Sequence, residues 1–255
     1  MKITWNETWG TSAVVSTTPK QSSSPSNGRG TPFWKRCLDI TIVALAAPAW
    51  LPVMALSALA IKLVSHGPVL FRQERIGFGG EKFQCLKFRT MRAGCATNGH
   101  EKHFAELIQS NQPMIKLDGH DQRLIPGAWI LRSTGLDELP QLLNILRGEM
   151  SLVGPRPCTP REFEAYSPEQ RARTNSLPGL TGLWQVSGKN HTTFRQMIEL
   201  DIRYTKTLSV GQDLSIMIRT PLVLINQLTE SFIFRQNKST PPTGQASAST
   251  NSRSA

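Results

Sequence analysis

The chain has 255 residues, a length typical of one domain with appendages. It carries 29 Lys and Arg against 18 Asp and Glu, and the net charge of +11 predicts anionic partners such as lipid or a phosphorylated substrate. Nucleic acid is not an expected partner, because the sequence has no zinc-finger spacing, aromatic RNA-binding signature or clear helix-turn-helix. The four cysteines form no C-x-x-C pair, which argues against a zinc site or a disulfide framework.

Both ends of the chain are polar. Residues 1–31 and 236–255 are rich in Ser, Thr and Pro and show no apolar periodicity, so disorder is predicted for both. No apolar stretch near the start has the form of a secretory signal. The folded part is therefore expected between residues 32 and 235.

The segment Ile40–Ile61 has 22 residues without a charge. As a straight helix it would reach roughly 33 Å, enough to cross a bilayer. Pro48 and Pro52 interrupt it, however, and predict a kink or break. Basic residues flank both ends: Lys35 and Arg36 before it, Lys62, Arg72 and Arg75 after it. Because positive flanks prefer the cytoplasm, residues 32–66 are predicted to enter the membrane and return, with a spanning helix as the alternative.

A basic β-hairpin is predicted next. Val69–Gln73 and Lys82–Thr90 have strand patterns, and the glycine-rich residues 77–80 between them indicate a turn. The arms carry several cations, among them Lys87 and Arg89. They form either a solvated face beside anionic lipid or a wall that binds a diphosphate.

Two adjacent acids precede a short apolar helix. Pro140 fits only the first turn of a helix, and Gly148 fits its end, so Asp137 and Glu138 are expected at the N-terminus. The apolar face of this helix has residues at i, i+3, i+4 and i+7: Leu139, Leu142, Leu143 and Leu146. The positive end of a helix keeps a carboxylate ionised and attracts phosphate. An ionised Asp can attack phosphorus and an adjacent Glu can hold a metal ion, although acids also favour helix starts for stability alone.

The segment after this helix presents a stiffly held arginine. Pro155 and Pro157 restrict the backbone on both sides of Arg156, and a rigid guanidinium suits bidentate recognition of phosphate. The alternative is an ordinary proline-rich loop with a solvated arginine.

Further elements follow in order. Capping boxes are predicted at 159–162 and 167–170, a turn at 178–182, a strand at 183–186, and helices at 193–206 and 214–228. Asp201 falls on the apolar stripe of the first of these two helices, so it needs a partner. That partner is either an arginine in a structural salt bridge or the active site.

Several motifs together resemble the bacterial sugar transferase family, the monotopic polyprenyl-phosphate phosphoglycosyl transferases. The resemblance spans Phe33 to Leu228 and rests on four runs: Lys87-Phe88-Arg89-Thr90-Met91, Asp137-Glu138-Leu139-Pro140-Gln141, Gly154-Pro155-Arg156-Pro157 and the segment 178–186. It implies an α+β fold with one re-entrant N-terminal membrane helix, a small β-hairpin and surrounding amphipathic helices, with the catalytic domain at 67–235. Two positions depart from the family pattern, since Ala47 and Gly135 stand where serine is usual.

The resemblance also implies the chemistry. It implies transfer of a sugar 1-phosphate from a UDP-sugar to undecaprenyl phosphate at the cytoplasmic face of the inner membrane, with release of UMP, as the first membrane step of exopolysaccharide synthesis. Asp137 is then the nucleophile and Glu138 the Mg²⁺ ligand. The residues expected to bind substrate are Lys87, Arg89, Arg132, Arg156, Arg173 and Asp201. A homo-oligomer is left open. The alternatives are an inactive membrane-anchored scaffold of polysaccharide assembly and a single-pass sensor.

Overall fold

The computed structural model describes residues 30–92, 123–188 and 191–239, with side chains as far as Thr229. From Thr31 onward they belong to one compact unit. The helices are α1 (Phe33–Leu45), α2 (Ala47–Val64), α3 (Ala128–Thr134), α4 (Gln141–Arg147), α5 (Pro160–Glu164), α6 (Pro168–Arg171), α7 (Leu183–Val186), α8 (Phe194–Lys206) and α9 (Val210–Ser239). The strands are β1 (Leu70–Ile76), β2 (Lys82–Phe88), β3 (Ser151–Val153) and β4 (Gly179–Thr181).

This mixture of helices with two small sheets confirms the α+β prediction. The disorder predicted for residues 1–29 and 240–255 lies outside the described residues. Helix α9 continues to Ser239, four residues into the tail predicted to begin at 236.

The predicted β-hairpin is confirmed. β1 and β2 pair antiparallel, from Leu70 opposite Phe88 to Ile76 opposite Lys82. Gly79 and Gly80 take φ angles of 65° and 87°, the left-handed region that favours glycine, and so close the turn. The hairpin therefore carries its basic side chains on a defined register.

The second sheet is parallel and depends on close contact between glycines. Ser151 of β3 lies opposite Gly179 of β4. A Cβ at Gly154 would lie 2.2 Å from the Leu177 carbonyl oxygen, and one at Gly182 would lie 2.1 Å from the Gly154 oxygen. The strand predicted at 183–186 is wrong, because those residues form helix α7 and the extended segment ends at Thr181.

The apolar N-terminal segment breaks at Ala46, between α1 and α2. Pro48 lies in the first turn of α2, and Pro52 lies inside that helix. At the break, the indole nitrogen of Trp50 donates to the Val43 carbonyl at 2.9 Å. Trp50 thus satisfies a backbone group at the break, where Ala47 stands in place of the family's serine.

Helix α2 is the one helix within the described residues that is long and apolar enough to cross a membrane, with a mean hydropathy of 1.7 and 11% of its residues buried. Its outward face carries large apolar side chains: Leu51, Val53, Leu56, Leu59, Leu63 and Val64. An apolar helix surface of this kind suits a lipid environment.

Helix α1, by contrast, is fixed to the rest of the domain by buried polar groups. The Lys35 ammonium lies 2.6 Å from the Asp213 carboxylate of α9 and donates to the Tyr204 hydroxyl at 2.9 Å. Asp39 accepts from the Ser151 hydroxyl at 3.0 Å and from the Leu152 backbone N–H at 2.9 Å. These contacts connect the N-terminal helix directly to β3, α8 and α9.

Candidate active site

The two adjacent acids lie on a short 3-10 turn, Leu136–Glu138, which follows α3. A single helix starting near Asp137 was predicted, and this is wrong in detail because α4 begins only at Gln141. Its predicted end is confirmed, since Gly148 takes a φ of 83°. Gly135 before the acids has a φ of 74°, a conformation that glycine adopts without strain and serine does not. Glycine at this position therefore suits the turn that presents the acids.

Glu138 forms an ion pair with the hairpin. The Lys87 ammonium of β2 lies 2.8 Å from Glu138 Oε1, and both side chains are partly exposed. This contact brings together two parts of the chain predicted separately, the basic hairpin and the acid pair. The site consequently has a cation beside its carboxylates, at a surface open to solvent.

A buried asparagine fixes the strand that carries Lys87. Asn144 of α4 accepts a hydrogen bond from the Leu86 backbone N–H at 3.0 Å and donates to the Gln84 carbonyl at 2.8 Å. Its side chain thus pairs with the edge of β2 as another strand would. The helix that follows Glu138 is therefore bonded directly to the strand that holds Lys87.

The backbone around Arg156 is bonded at three successive carbonyls. The Arg156 carbonyl oxygen accepts a hydrogen bond from the Arg173 guanidinium at 2.9 Å, and the Pro157 carbonyl oxygen accepts one from the Arg75 guanidinium at 3.0 Å. Cys158 oxygen accepts from the Ile76 backbone N–H at 2.9 Å. This segment is consequently held by β1 and by the residues before β4, in agreement with the rigid presentation predicted from its prolines.

The Arg156 side chain is paired with Glu162. Two guanidinium nitrogens donate to the two carboxylate oxygens at 2.9 and 3.3 Å, a fork-to-fork arrangement. Glu162 is 3% exposed and Arg156 is 23% exposed. Burial alone would raise the pKa of Glu162, but Arg156, Arg75 and Arg173 outweigh it and hold that pKa below its usual value. The pair is therefore ionised at neutral pH.

The structure places Arg173 and Asp201 inside the domain. Both are about 1% exposed and form a salt bridge with each other. Arg173 also donates to the Tyr166 hydroxyl and to the Arg156 carbonyl. The sequence left open whether Asp201 forms a structural salt bridge with an arginine or belongs to the active site. In the structure it forms the salt bridge, with Arg173.

The Arg89 side chain contacts the residues that directly follow α2. It is 5% exposed, and its guanidinium donates to the carbonyls of Ser65 and His66 at 2.9 and 2.7 Å. These carbonyls belong to the two residues that directly follow α2. Arg132 lies in the last turn of α3, partly exposed and five residues before Asp137.

The buried thiol of Cys85 interacts with charges of both the Lys87–Glu138 pair and the arginines Arg75 and Arg156. Burial raises the pKa of Cys85, and the charges of Lys87, Arg75, Glu138 and Arg156 all act on it. A shallow pocket lies on the Arg156 side, lined by Ile76, Gly77, Pro155, Arg156, Cys158, Arg173, Thr174, Ser176 and Pro178. Asp137 and Glu138 do not line this pocket.

Comparison with known proteins decides the family. The family profile described as bacterial sugar transferase matches residues 30–227. The chain belongs to the bacterial sugar transferase family. The predicted family and the prediction of an enzyme are both confirmed.

This sugar transferase is 45% identical over 194 residues to the UDP-glucose:undecaprenyl-phosphate glucose-1-phosphate transferase of Caulobacter vibrioides, covering 73% of the chain and 67% of that protein. It is 38% identical over 201 residues to the exopolysaccharide production protein ExoY of Sinorhizobium fredii, covering 76% of the chain and 86% of that protein. It is 34% identical over 207 residues to the undecaprenyl-phosphate galactose phosphotransferase of Salmonella typhimurium, covering 78% of the chain and 42% of that longer protein.

Sequence reasoning missed three buried polar residues of the sugar transferase: Lys35, Asp213 and Glu162. Lys35 was interpreted only as a flanking charge, and its partner Asp213 lies 178 residues further along the chain. Glu162 was interpreted as half of a capping box. Its N–H does donate to Thr159, but its carboxylate binds Arg156 instead of returning to the helix start. The signal available was an acid close to an arginine, which is too common to be decisive.

Proposed function

We propose that the enzyme transfers a sugar 1-phosphate from a UDP-sugar to undecaprenyl phosphate in the synthesis of a surface glycan. The names of two relatives support both the lipid acceptor and the sugar-phosphate group. The name of the Caulobacter relative includes the UDP-linked donor, and that of the Sinorhizobium relative includes exopolysaccharide production.

One observation carries the proposal, the contact of 2.8 Å between Lys87 and Glu138. A carboxylate pair alone would repel a diphosphate, and a basic hairpin alone would bind any anion. Together they form a surface that neutralises phosphate oxygens beside a carboxylate able to attack phosphorus. We assign this attack to Asp137, the role that the resemblance to the family implies, and Glu138 is the acid that pairs with the lysine.

The reaction proceeds in two displacements. An Asp137 carboxylate oxygen attacks the sugar-linked phosphorus, and the bond from that phosphorus to the bridging oxygen breaks, so UMP leaves with the electron pair. A phosphate oxygen of the lipid then attacks the same phosphorus, and the bond to Asp137 breaks to restore its carboxylate. Neither displacement requires a proton from the protein, since both nucleophiles are anions and UMP leaves as an anion.

The donor set also fits Mg²⁺. This ion keeps several waters and is bound through one or two carboxylates together with substrate phosphates, rather than by a full protein cage. In the described part of the chain no group of three or more His, Cys, Asp and Glu side chains forms such a cage. Glu138, with Asp137 beside it, would hold the ion, which when bound offsets charge on the diphosphate.

The predicted substrate-binding residues divide by exposure. Lys87, Arg132 and Arg156 are partly exposed, and we assign them to phosphate contacts. Arg173, Asp201 and Arg89 are buried and bonded to protein groups, so we assign them to holding Arg156 and the end of α2. This assignment replaces the expectation that all six side chains contact substrate.

We further propose that residues 32–66 enter the cytoplasmic leaflet of the inner membrane and return on the same side. The start of α1 is bonded through Lys35 to Asp213, and the two residues that follow α2 are bonded through their carbonyls to Arg89. Both ends of the apolar segment therefore contact the same domain. A helix that crossed the bilayer would separate its ends by roughly 30 Å of hydrocarbon.

The test is UMP release by membranes that contain the enzyme, measured across a panel of UDP-sugars with and without undecaprenyl phosphate and Mg²⁺. We expect release that requires the metal and is lost in Asp137→Asn, while the exposed control Glu199→Gln retains it. Labelled sugar phosphate should remain on the wild-type protein when the lipid is withheld. Release that persisted in Asp137→Asn would exclude the covalent route, and no release with any sugar would favour the scaffold.

A further inference from the structure

Glu162 breaks a pattern that the chain otherwise follows. Ser167 with Gln170 and Thr193 with Gln196 form complete capping boxes, in which the third helical residue bonds back to the backbone N–H of the cap. Thr159 and Glu162 have the same spacing, and Thr159 does accept from the Glu162 N–H at 3.2 Å. The Glu162 carboxylate nevertheless points to Arg156. The Glu162 carboxylate therefore bonds Arg156 instead of the backbone N–H of Thr159.

The surroundings of Glu162 are strongly cationic. Its buried carboxylate interacts with the charges of Arg156, Arg75 and Arg173, and Asp201 adds a second negative charge by pairing with Arg173. These three arginines and two acids leave one net positive charge, which suits a single phosphate group. Glu162 therefore does not cancel the cluster but fixes how one of its guanidinium groups is oriented.

The two-point contact defines the plane of Arg156. Both of its terminal nitrogens bond the carboxylate, while Arg173 and Arg75 fix the backbone on which it stands. A guanidinium held in this way loses little entropy when it meets phosphate. We infer that Glu162 is a positioning residue, which aligns Arg156 for the phosphate that is transferred. This inference rests on the proposed function.

In Glu162→Gln, the loss of negative charge and the loss of Arg156 orientation should affect different kinetic constants. Removing the negative charge makes the cluster more positive, so the KM for the UDP-sugar should stay the same or fall. Losing the alignment should lower kcat for UMP release by roughly 10- to 100-fold, the order expected when a reacting group is misplaced. Glu164→Gln, an exposed acid on the same helix, should change neither constant.

A double-mutant cycle tests whether Glu162 acts through Arg156. Lysine cannot form a fork, so in an Arg156→Lys background the change Glu162→Gln should lower kcat no further. Thermal unfolding of each variant in detergent identifies any that fail to fold. If Glu162→Gln fails to fold, Glu162→Asp replaces it in both backgrounds, because it keeps the charge but is too short for the two-point contact.

The outcomes separate clearly. Equal losses of kcat from Glu162→Gln in both backgrounds, or an unchanged kcat in a folded Glu162→Gln enzyme, would overturn the positioning role while leaving the sugar transfer intact. Absence of UMP release from the wild type would instead remove the proposed function, and the role of Glu162 with it.

Discussion

Lys87 is the residue that connects the basic hairpin to the acid pair. Replacing it with Met keeps an unbranched apolar side chain, shorter by the terminal nitrogen, and removes the cation beside Glu138. We expect UMP release to fall roughly 100-fold, the order seen when one preorganised charge-stabilising group is lost. Initial rates at saturating and limiting UDP-sugar would measure it.

Lys82 supplies the matched control for this change. It lies at the start of the same strand and pairs with Glu74 at 3.0 Å, and both side chains are well exposed. Exposed ion pairs contribute little, so Lys82→Met should leave the rate and the folding temperature nearly unchanged. A similar loss of rate in both variants would indicate that the hairpin contributes only general positive charge, and that the Lys87–Glu138 contact has no specific role.

At the level of single residues, the sequence identified the charged side chains of the site more successfully than it identified the groups that they contact. Arg89 shares a motif with Lys87, and Arg173 was predicted to bind substrate as Arg156 was, yet Arg89 and Arg173 are both buried and bonded to protein groups. Nothing local distinguishes them, because the carbonyls that Arg89 binds lie 23 and 24 residues away along the chain and the Asp201 partner of Arg173 lies 28 residues away. Burial of a charged group is decided by tertiary packing, and a sequence pattern does not contain it.

Among the elements, the contact between β3 and β4 depends on three glycines. A Cβ on Gly154 would approach the Leu177 oxygen to 2.2 Å and the Gly179 nitrogen to 2.7 Å, and both are backbone atoms that cannot rotate away. We expect Gly154→Ala to cost about 3 kcal/mol of unfolding free energy, the upper part of the usual range for overpacking. It should also displace Arg156, two residues on.

Thermal and denaturant unfolding of the purified enzyme would measure this loss. Gly211→Ala is the control, because a Cβ there meets no atom within 4 Å and the residue lies in helix α9. Alanine favours a helix over glycine, so this variant should be as stable as the wild type or slightly more so. If Gly154→Ala proved as stable as Gly211→Ala, the two strands would have to be less tightly apposed than the structure has them.

Elements with a strong local signal were predicted, and elements defined by distant contacts were not. The hairpin, the helix over 194–206 and the glycine that ends α4 follow from turn residues, caps and periodicity. The three-residue strands β3 and β4 have no such signal, since each exists only through pairing with the other. Residues 183–186 were accordingly mistaken for the strand that ends just before them.

For the molecule as a whole, the attachment of the apolar segment matters more than its hydropathy. Composition alone could not decide between a helix that crosses the membrane and one that returns. Lys35 and Asp213 form a buried ion pair at one end, and Arg89 holds the last carbonyls at the other. Breaking a buried pair by removing one partner is costly, so both ends should stay with the catalytic domain.

This attachment predicts the outcome of cysteine labelling. With the four native cysteines replaced, single cysteines at Pro32, His66 and the exposed α8 position Arg195 would be treated with a membrane-impermeant maleimide. In inverted membrane vesicles, which expose the cytoplasmic face, we expect all three to react, and in intact spheroplasts none. Because position 195 reports the side on which the catalytic domain lies, reaction of either position 32 or position 66 from the opposite side would mean that the helix spans the bilayer.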